Sequence, residues 1–210
     1  MTVLFRFALA ETAMKKTYDR DYFERWYRDR PGRSAALTRK VALAVAMAEY
    51  YLQRPIRSVL DVGCGEAAWR APLLKLRPKL SYQGVDSSEY AVARHGRRRN
   101  IAFANFGQLD QLRFGAAADL LICSDVMHYL PTSELKRGLS GFDELCDGVA
   151  FLEVFGNDDA ILGDTQGFMN RPAHFYRKLF LEAGFTPCGS HGYLSPHLRG
   201  QATMLEVLSP

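Results

Sequence analysis

The 210-residue sequence contains no apolar run approaching the roughly 18 residues that a bilayer-spanning helix needs, and the apolar stretch at 41–48 ends at Glu49. It also has no C-x-x-C pair. The four cysteines, Cys64, Cys123, Cys146 and Cys188, lie far apart in strand-like or helical apolar context, which argues against a disulfide framework and suits buried, reduced thiols. These absences lead us to expect a soluble, cytoplasmic chain without a membrane partner. Internal repeats and low-complexity tracts are missing too, which excludes a solenoid or a linker-like organisation. His174, His191 and His197 have no metal-ligand spacing, so no metal site is expected.

What is present is an ordinary globular composition, 48% hydrophobic and 24% charged, sufficient for one well-packed domain. The N-terminus, MTVLFRFALAETAMKK, ends an apolar run in Ala8-Leu9-Ala10 as a signal peptide would. Its front end carries no positive charge, however, and Arg6 interrupts the run. We therefore expect residues 1–16 to be a frayed extension, 17–54 a helical cap and 55–210 the core of a single domain. The formal net charge is +4, with a basic run Arg94-His95-Gly96-Arg97-Arg98-Arg99. Such a run can touch phosphates, but at the end of a predicted helix it also complements the helix dipole.

Beyond residue 57, short apolar runs alternate with helical patterns, as in a parallel sheet covered by helices on both faces. Strands are expected at 58–62, 82–85, 101–106, 120–124 and 149–155, each apolar enough to be buried on both sides. Helices are expected at 67–76, 88–99, 133–146 and 172–183, with Thr132 capping the third and Pro172 and Gly184 bracketing the fourth. Two final strands, 186–193 and 202–208, would be joined by a turn containing Pro196 and Gly200. Ahead of the sheet, helices at 18–27 and 34–52 are separated at Pro31-Gly32.

Gly63 and Gly65 form a turn between the first strand and its helix, where backbone can approach a ligand and helix N–H groups gather at the strand's carboxyl end. The segment Val59-Leu60-Asp61-Val62-Gly63-Cys64-Gly65 resembles the first motif of class I S-adenosylmethionine-dependent methyltransferases. Gly84-Val85-Asp86-Ser87-Ser88 is similar to the second motif, whose acidic residue binds the ribose hydroxyls. Residues 105–109 follow the third strand, where the family places an acidic residue against the adenine amino group; Gln108 stands there, beside Gly107 and Leu109. Residues 119–130, including Cys123 and Ser124, are similar to the fourth-strand motif that flanks the methionine part of the cofactor. The resemblance spans about 57–183. It implies a Rossmann-like three-layer α/β sandwich with a mostly parallel seven-stranded sheet, the last strand antiparallel, and S-adenosyl-L-methionine as cofactor. Asp61, Gly63, Cys64, Gly65, Asp86, Ser87, Gly107, Gln108, Leu109, Cys123 and Ser124 would hold it.

Ala67 replaces the third glycine of the family's G-x-G-x-G, and because a Cβ resists positive φ it should sit in helical conformation. Read through Ala68 as G-x-G-x-x-A, the same turn would suit a nicotinamide-dependent dehydrogenase. Asp61, two residues before Gly63, and the little room left for a separate substrate domain favour the methyltransferase.

The implied reaction is in-line attack of a nucleophile on a sulfonium methyl, and because the leaving thioether is neutral it needs no acid. Positioning then supplies much of the rate, and a base matters where the acceptor must lose a proton. His128, just past the fourth strand's carboxyl end, is the candidate base, and Asp125 could orient it or bind substrate; alternatively His128 only packs and Asp125 only starts a helix. Tyr22, Phe23, Trp26 and Tyr27 recur at helical spacing, either as a packing stripe or as an aromatic lid. The loop 155–171, with Asp158, Asp159 and Asp164, either lines the acceptor pocket or is a solvated acidic loop. The compact domain points to a small-molecule acceptor. No N/D-P-P-Y/F motif follows the fourth strand, which argues against a nucleic-acid acceptor. An RNA or protein acceptor, suggested by the arginine run, and a cofactor-binding module without catalysis are the alternatives; oligomeric state is unspecified.

Overall fold

A computed structural model describes residues 16–27, 33–161 and 164–204. Two helices, α1 (Arg20–Tyr27) and α2 (Arg33–Leu52), precede the sheet. The expected break at Pro31-Gly32 and residues 1–15 lie outside the described residues. From there the chain alternates: β1 (Ser58–Val62), α3 (Arg70–Leu76), β2 (Ser81–Asp86), α4 (Glu89–Arg99), β3 (Ile101–Phe103), β4 (Ala118–Ser124), α5 (Thr132–Leu139), α6 (Phe142–Leu145), β5 (Cys146–Glu153), α7 (Ala173–Glu182), β6 (Thr186–Gly189) and β7 (Gly192–Leu194). The sheet order is β3-β2-β1-β4-β5-β7-β6, and β7 runs against both of its neighbours while the other pairings are parallel. This is the Rossmann-like seven-stranded arrangement with an antiparallel last strand.

Alternate residues of the central strands feed two cores, because successive side chains point to opposite faces. Leu60, Val62, Leu121, Cys123, Ala150 and Leu152 pack on one face with Leu135, Phe142, Leu179 and Phe180. Val59, Leu120, Ile122, Val149 and Phe151 pack on the other with Val41, Ala44, Val45 and Leu73. β2 and β3 lie to one side of β1 and β4 and β5 to the other, so the connections diverge and leave a cleft at the carboxyl ends of β1 and β4.

Several expected boundaries change for local physical reasons. The helix expected from residue 67 begins at Arg70, and the single helix expected at 133–146 is divided into α5 and α6. Gly141 lies at the division, where an added Cβ would stand 2.2 Å from the Leu109 carbonyl oxygen. Thr132 is the first residue of α5 rather than its cap; Pro131 precedes it, and the Thr132 hydroxyl instead accepts from Arg171 at 2.9 Å. The expected strand 186–193 folds back on itself as β6 and β7, because Ser190 and His191 both take positive φ, the backbone of a tight hairpin turn. Residues 202–204 are not a strand, and 205–208 lie outside the described residues. α7 matches expectation, with Pro172 just before it and Gly184 at φ +86 just after.

Ala67 departs from expectation most informatively: its φ is +59, in the left-handed region, like Gly63 at +69 and Gly65 at +54. The turn thus keeps the backbone of three alternating glycines with an alanine in the last place. Ala67→Gly should change stability by less than about 1 kcal/mol, since relief of left-handed strain is offset by chain entropy and a lost buried methyl. Gly63→Ala should cost at least about 2 kcal/mol, because its Cβ would lie 2.4 Å from a Val126 methyl carbon at an unfavourable φ. Urea unfolding of both variants measures this; a Gly63→Ala chain as stable as wild type would contradict it.

Candidate active site

The turn between β1 and α3 is built by hydrogen bonds to the neighbouring strand. The N–H groups of Gly63 and Cys64 donate to the Val85 carbonyl at 2.8 and 3.2 Å, and that of Gly65 donates to Asp86 Oδ2 at 2.7 Å. Asp86 Oδ1 accepts from the Ser88 N–H at 2.8 Å. Cys64 turns back toward β2, where its Sγ would stand 2.7 Å from a Cβ at Gly84, so Gly84 is the space into which this side chain fits. The buried thiol is pushed well up and stays protonated, which makes it a packing residue.

Above this turn lies a cavity of about 770 Å³, in the range of small-molecule sites. Asp61, Gly63, Cys64, Gly65, Asp86, Ser87, Leu109, Ser124 and Asp125 all line it, as expected. Ala104, Phe106 and Leu109 give one end an apolar slot suited to an aromatic base, and Asp86, which keeps free lone pairs, suits ribose hydroxyls. Three other expected residues do not line it. Gln108 is exposed, and its amide oxygen accepts from the Asn105 N–H at 2.9 Å as half of a capping box, so it is already committed to the backbone. Gly107 is buried beneath α5, where an added Cβ would meet Arg137 at 2.6 Å. Cys123 is fully buried in the core on one face of the sheet and does not reach the cavity.

His128 is also fully buried and does not line the cavity. Its Nδ1 accepts from the Phe155 N–H at 3.5 Å, and its buried Nε2 lies 3.2 Å from Asp125 Oδ1 without a hydrogen-bond partner. The ring packs among Tyr129, Phe155 and Phe168. Asp125 is the member that reaches the cavity, with a side chain 44% exposed and a left-handed φ of +64. His128 therefore stands behind Asp125.

The polar cluster beside it carries no motif that would announce it. Glu153, at the end of β5 and directly across from Ser124, accepts from Lys40 Nζ at 2.6 and 2.7 Å and from the Ser124 hydroxyl at 2.5 Å. Both Lys40 and Glu153 line the cavity. A carboxylate at a strand's carboxyl end was a usable signal for Glu153; nothing in α2 singled out Lys40. Asp119 sits at the opposite, amino-terminal end of β4, where it accepts a two-pronged contact from Arg54 at 2.6 and 2.8 Å and the Arg57 N–H at 2.6 Å. Burial pushes Asp119 up, but these donors outweigh it and hold the carboxylate below its usual range. Asp119 fixes the α2–β1 connection and is remote from the cavity.

Residues 16–27 cross over the cavity. The Ser88 hydroxyl donates to the Tyr18 carbonyl at 2.5 Å, and the Phe23 ring lies against Gly65 and stacks on Tyr90 at 5.8 Å. Tyr18, Tyr22 and Phe23 line the cavity, so the aromatic stripe both packs and covers; Trp26 is half-buried and absent from the lining, and the Tyr27 side chain lies outside the described residues. Asp164 lines the cavity while Asp158 and Asp159 do not. The arginine run occupies the last turn of α4, complementing its dipole, and Arg99 donates to the Glu66 carbonyl at the cavity wall.

The fold is Rossmann-like, with a cavity at the carboxyl ends of its central strands. Residues 60–148 match the family model described as a methyltransferase domain. Among solved structures, the chain is similar to the magnesium protoporphyrin IX methyltransferase from Synechocystis PCC 6803 with bound SAH, at 22% identity and TM-score 0.58 over 79% of this chain and 83% of that one. It is also similar to a sugar N-methyltransferase from Streptoalloteichus sp. ATCC 53650 (17% identity, TM-score 0.59, 88% and 91% coverage) and to a SAM-dependent methyltransferase from Archaeoglobus fulgidus (17%, 0.59, 78% and 72%). At these identities the structural likeness speaks for the fold. No curated protein sequence matches the chain. The match at residues 60–148 and the shared fold make this chain similar to the class I S-adenosylmethionine-dependent methyltransferases, whose cofactor is S-adenosylmethionine.

The residues present fit that cofactor: the floor has no Cβ at Gly63 and Gly65, and buried carboxylates suit a cationic ligand. Burial pushes Asp61 up to about 7, with nearby Asp86 adding to the rise and the Tyr82 hydroxyl, donating at 2.7 Å, opposing it. The folded chain therefore binds this proton more tightly than the unfolded chain does. The resulting stability is fully present below about pH 4 and is lost as pH rises to about 7, a change of up to about 4 kcal/mol. Asp61→Asn should remove this fall: the stability difference between variant and wild type should grow in the variant's favour between pH 4 and pH 7.5. A pH-independent difference in urea unfolding would refute the assignment.

Proposed function

We propose that this chain is an S-adenosylmethionine-dependent methyltransferase that acts on a small-molecule acceptor bound between Asp125, Glu153, Tyr129 and Phe155. The observation that carries this reading is the covered cavity: a single space continues from Asp86 to Glu153 under the strap of residues 16–27, leaving acceptor room that a folded macromolecule does not enter. Two of the similar structures are, by their names, a sugar N-methyltransferase and a magnesium protoporphyrin IX methyltransferase, and they support the same class.

When bound, the cofactor supplies an electrophilic methyl on a sulfonium whose departure leaves a neutral thioether. The chain's own residues then orient and desolvate the acceptor. Asp125 presents a cavity-facing carboxylate at the carboxyl end of β4 and accepts the proton that the acceptor must lose. His128 positions Asp125 from behind. Lys40 and Ser124 hold Glu153, so this carboxylate offers a fixed polar wall rather than a mobile base. Tyr18, Tyr22 and Phe23 exclude water from above.

The test is incubation with S-adenosylmethionine carrying a labelled methyl group and, in parallel, small-metabolite, RNA and protein fractions. Label is expected in the small-metabolite fraction, and incorporation confined to RNA or protein would overturn the proposal. Asp125→Asn should lower turnover about 100-fold while leaving cofactor affinity within about threefold. Unchanged turnover would remove Asp125 from the role.

A further inference from the structure

One side chain of the strap is itself held as a cationic ligand would be. Lys16 Nζ lies 3.7 Å from the ring centroid of Tyr129, 5.2 Å from that of Tyr22 and 5.3 Å from that of Tyr18. It is 2.5 Å from Asp164 Oδ2 and donates to the Gln166 carbonyl at 3.1 Å. Only 11% of the Lys16 side chain and 9% of that of Asp164 are exposed. An ammonium group taken out of water to this degree needs its hydration replaced, and here three π faces, a carboxylate and a carbonyl supply the replacement. The sequence placed Lys16 in a frayed extension; in the structure it is pinned.

Half of this cage exists without the strap. Tyr129 follows β4 and Asp164 follows β5, and the Tyr129 hydroxyl donates to the Asp164 carbonyl at 2.7 Å, fixing ring and loop to each other. Tyr18, Tyr22, Tyr129 and Asp164 all line the cavity, so the cage opens onto its acceptor half. The strap is tied at its other end to the cofactor half through Ser88 and Gly65, so the Lys16 contacts bridge the two halves.

We infer that Tyr18, Tyr22, Tyr129 and Asp164 form an ammonium-binding subsite at the acceptor end, filled by Lys16 in the ligand-free chain and taken over by the protonated amino group of an amine ligand when Lys16 withdraws. Assigning the subsite to the acceptor rests on the function proposed above; the ammonium binding itself does not. An N–H-bearing alkylammonium fits because the Asp164 carboxylate and the Gln166 carbonyl both accept hydrogen bonds, which a quaternary ammonium cannot supply. Lys16 is tethered, so its high effective concentration keeps free ammonium ions out of the wild-type cage.

The experiment titrates the full chain, saturated with S-adenosylhomocysteine, with n-butylammonium chloride at constant ionic strength. Lys16→Ala vacates the cage and should bind n-butylammonium at least about tenfold more tightly than wild type does, with butan-1-ol and tetramethylammonium binding no better to the variant than to wild type. Adding Asp164→Asn to Lys16→Ala should abolish the gain, and Lys16→Met, which fills the cage with an apolar chain, should not show it. The melting temperature of each variant, compared with wild type, verifies folding, since Lys16 lies outside both cores. A Lys16→Ala chain that binds S-adenosylhomocysteine normally but n-butylammonium no better than wild type does, or that binds tetramethylammonium equally well, overturns the subsite. Failure of wild type to bind S-adenosylhomocysteine would count against the methyltransferase reading instead, and the same ammonium titration without it still decides the cage.

Discussion

Everything at the site depends on a backbone constraint: three left-handed residues, at every second position from Gly63 through Gly65 to Ala67, carry the chain from the end of β1 across the top of β2. This alternation points consecutive N–H groups at fixed acceptors, the Val85 carbonyl and the Asp86 carboxylate, and so locks the carboxyl ends of the two strands together. With the strand ends fixed, the divergence of connections on either side of β1 and β4 leaves an open cleft, and Asp86 is held in place to face it. The same turn buries Cys64 against Gly84 and delays the start of α3 until Arg70. A Cβ is present and buried at Ala67, whereas at Gly63 it would lie 2.4 Å from a Val126 methyl carbon.

Charge is organised in the same way, by partnering the cavity carboxylates: Glu66 lies 3.3 Å from His95, and Glu134 accepts from the Gly107 N–H at 3.5 Å. Tyr82 serves Asp61, backbone N–H groups serve Asp86, Lys40 and Ser124 serve Glu153, Lys16 serves Asp164, and His128 stands behind Asp125. A cavity walled by carboxylates is suited to a sulfonium ligand. Asp61 is the costliest member, since it is buried without a cation, and a positively charged ligand nearby would restore its ionised form.

The five parallel strands and the glycine turn were legible in the sequence because apolar runs and glycine spacing are local signals, whereas the last two strands were misplaced, since the hairpin turn at Ser190-His191 lies inside the expected run 186–193. The runs at 58–62 and 120–124 contain the residues that form β1 and most of β4, and Asp61, Gly63, Gly65 and Asp86 reach the cavity as their motif implied. What was not legible depended on distant partners. Gln108 was read as an adenine contact, but its oxygen is taken by the Asn105 N–H, and His128 was read as a base or a packing residue and is enclosed by Phe155 and Phe168. Lys40 and Glu153 are 113 positions apart and meet only through the packing of α2 on β5. The left-handed Ala67 shows the converse: context enforced a conformation that the side chain by itself disfavours.

The central claim, that this turn and its carboxylates hold S-adenosylmethionine, is tested most directly by calorimetric titration of the wild-type chain and an Asp86→Ala variant with S-adenosylhomocysteine and with NAD. Saturable binding of S-adenosylhomocysteine to wild type is expected, weakened at least about tenfold in Asp86→Ala, where two hydrogen-bonding oxygens are removed, with no binding of NAD to either. Binding of NAD in preference to S-adenosylhomocysteine, or equal binding of S-adenosylhomocysteine to the two proteins, would contradict it.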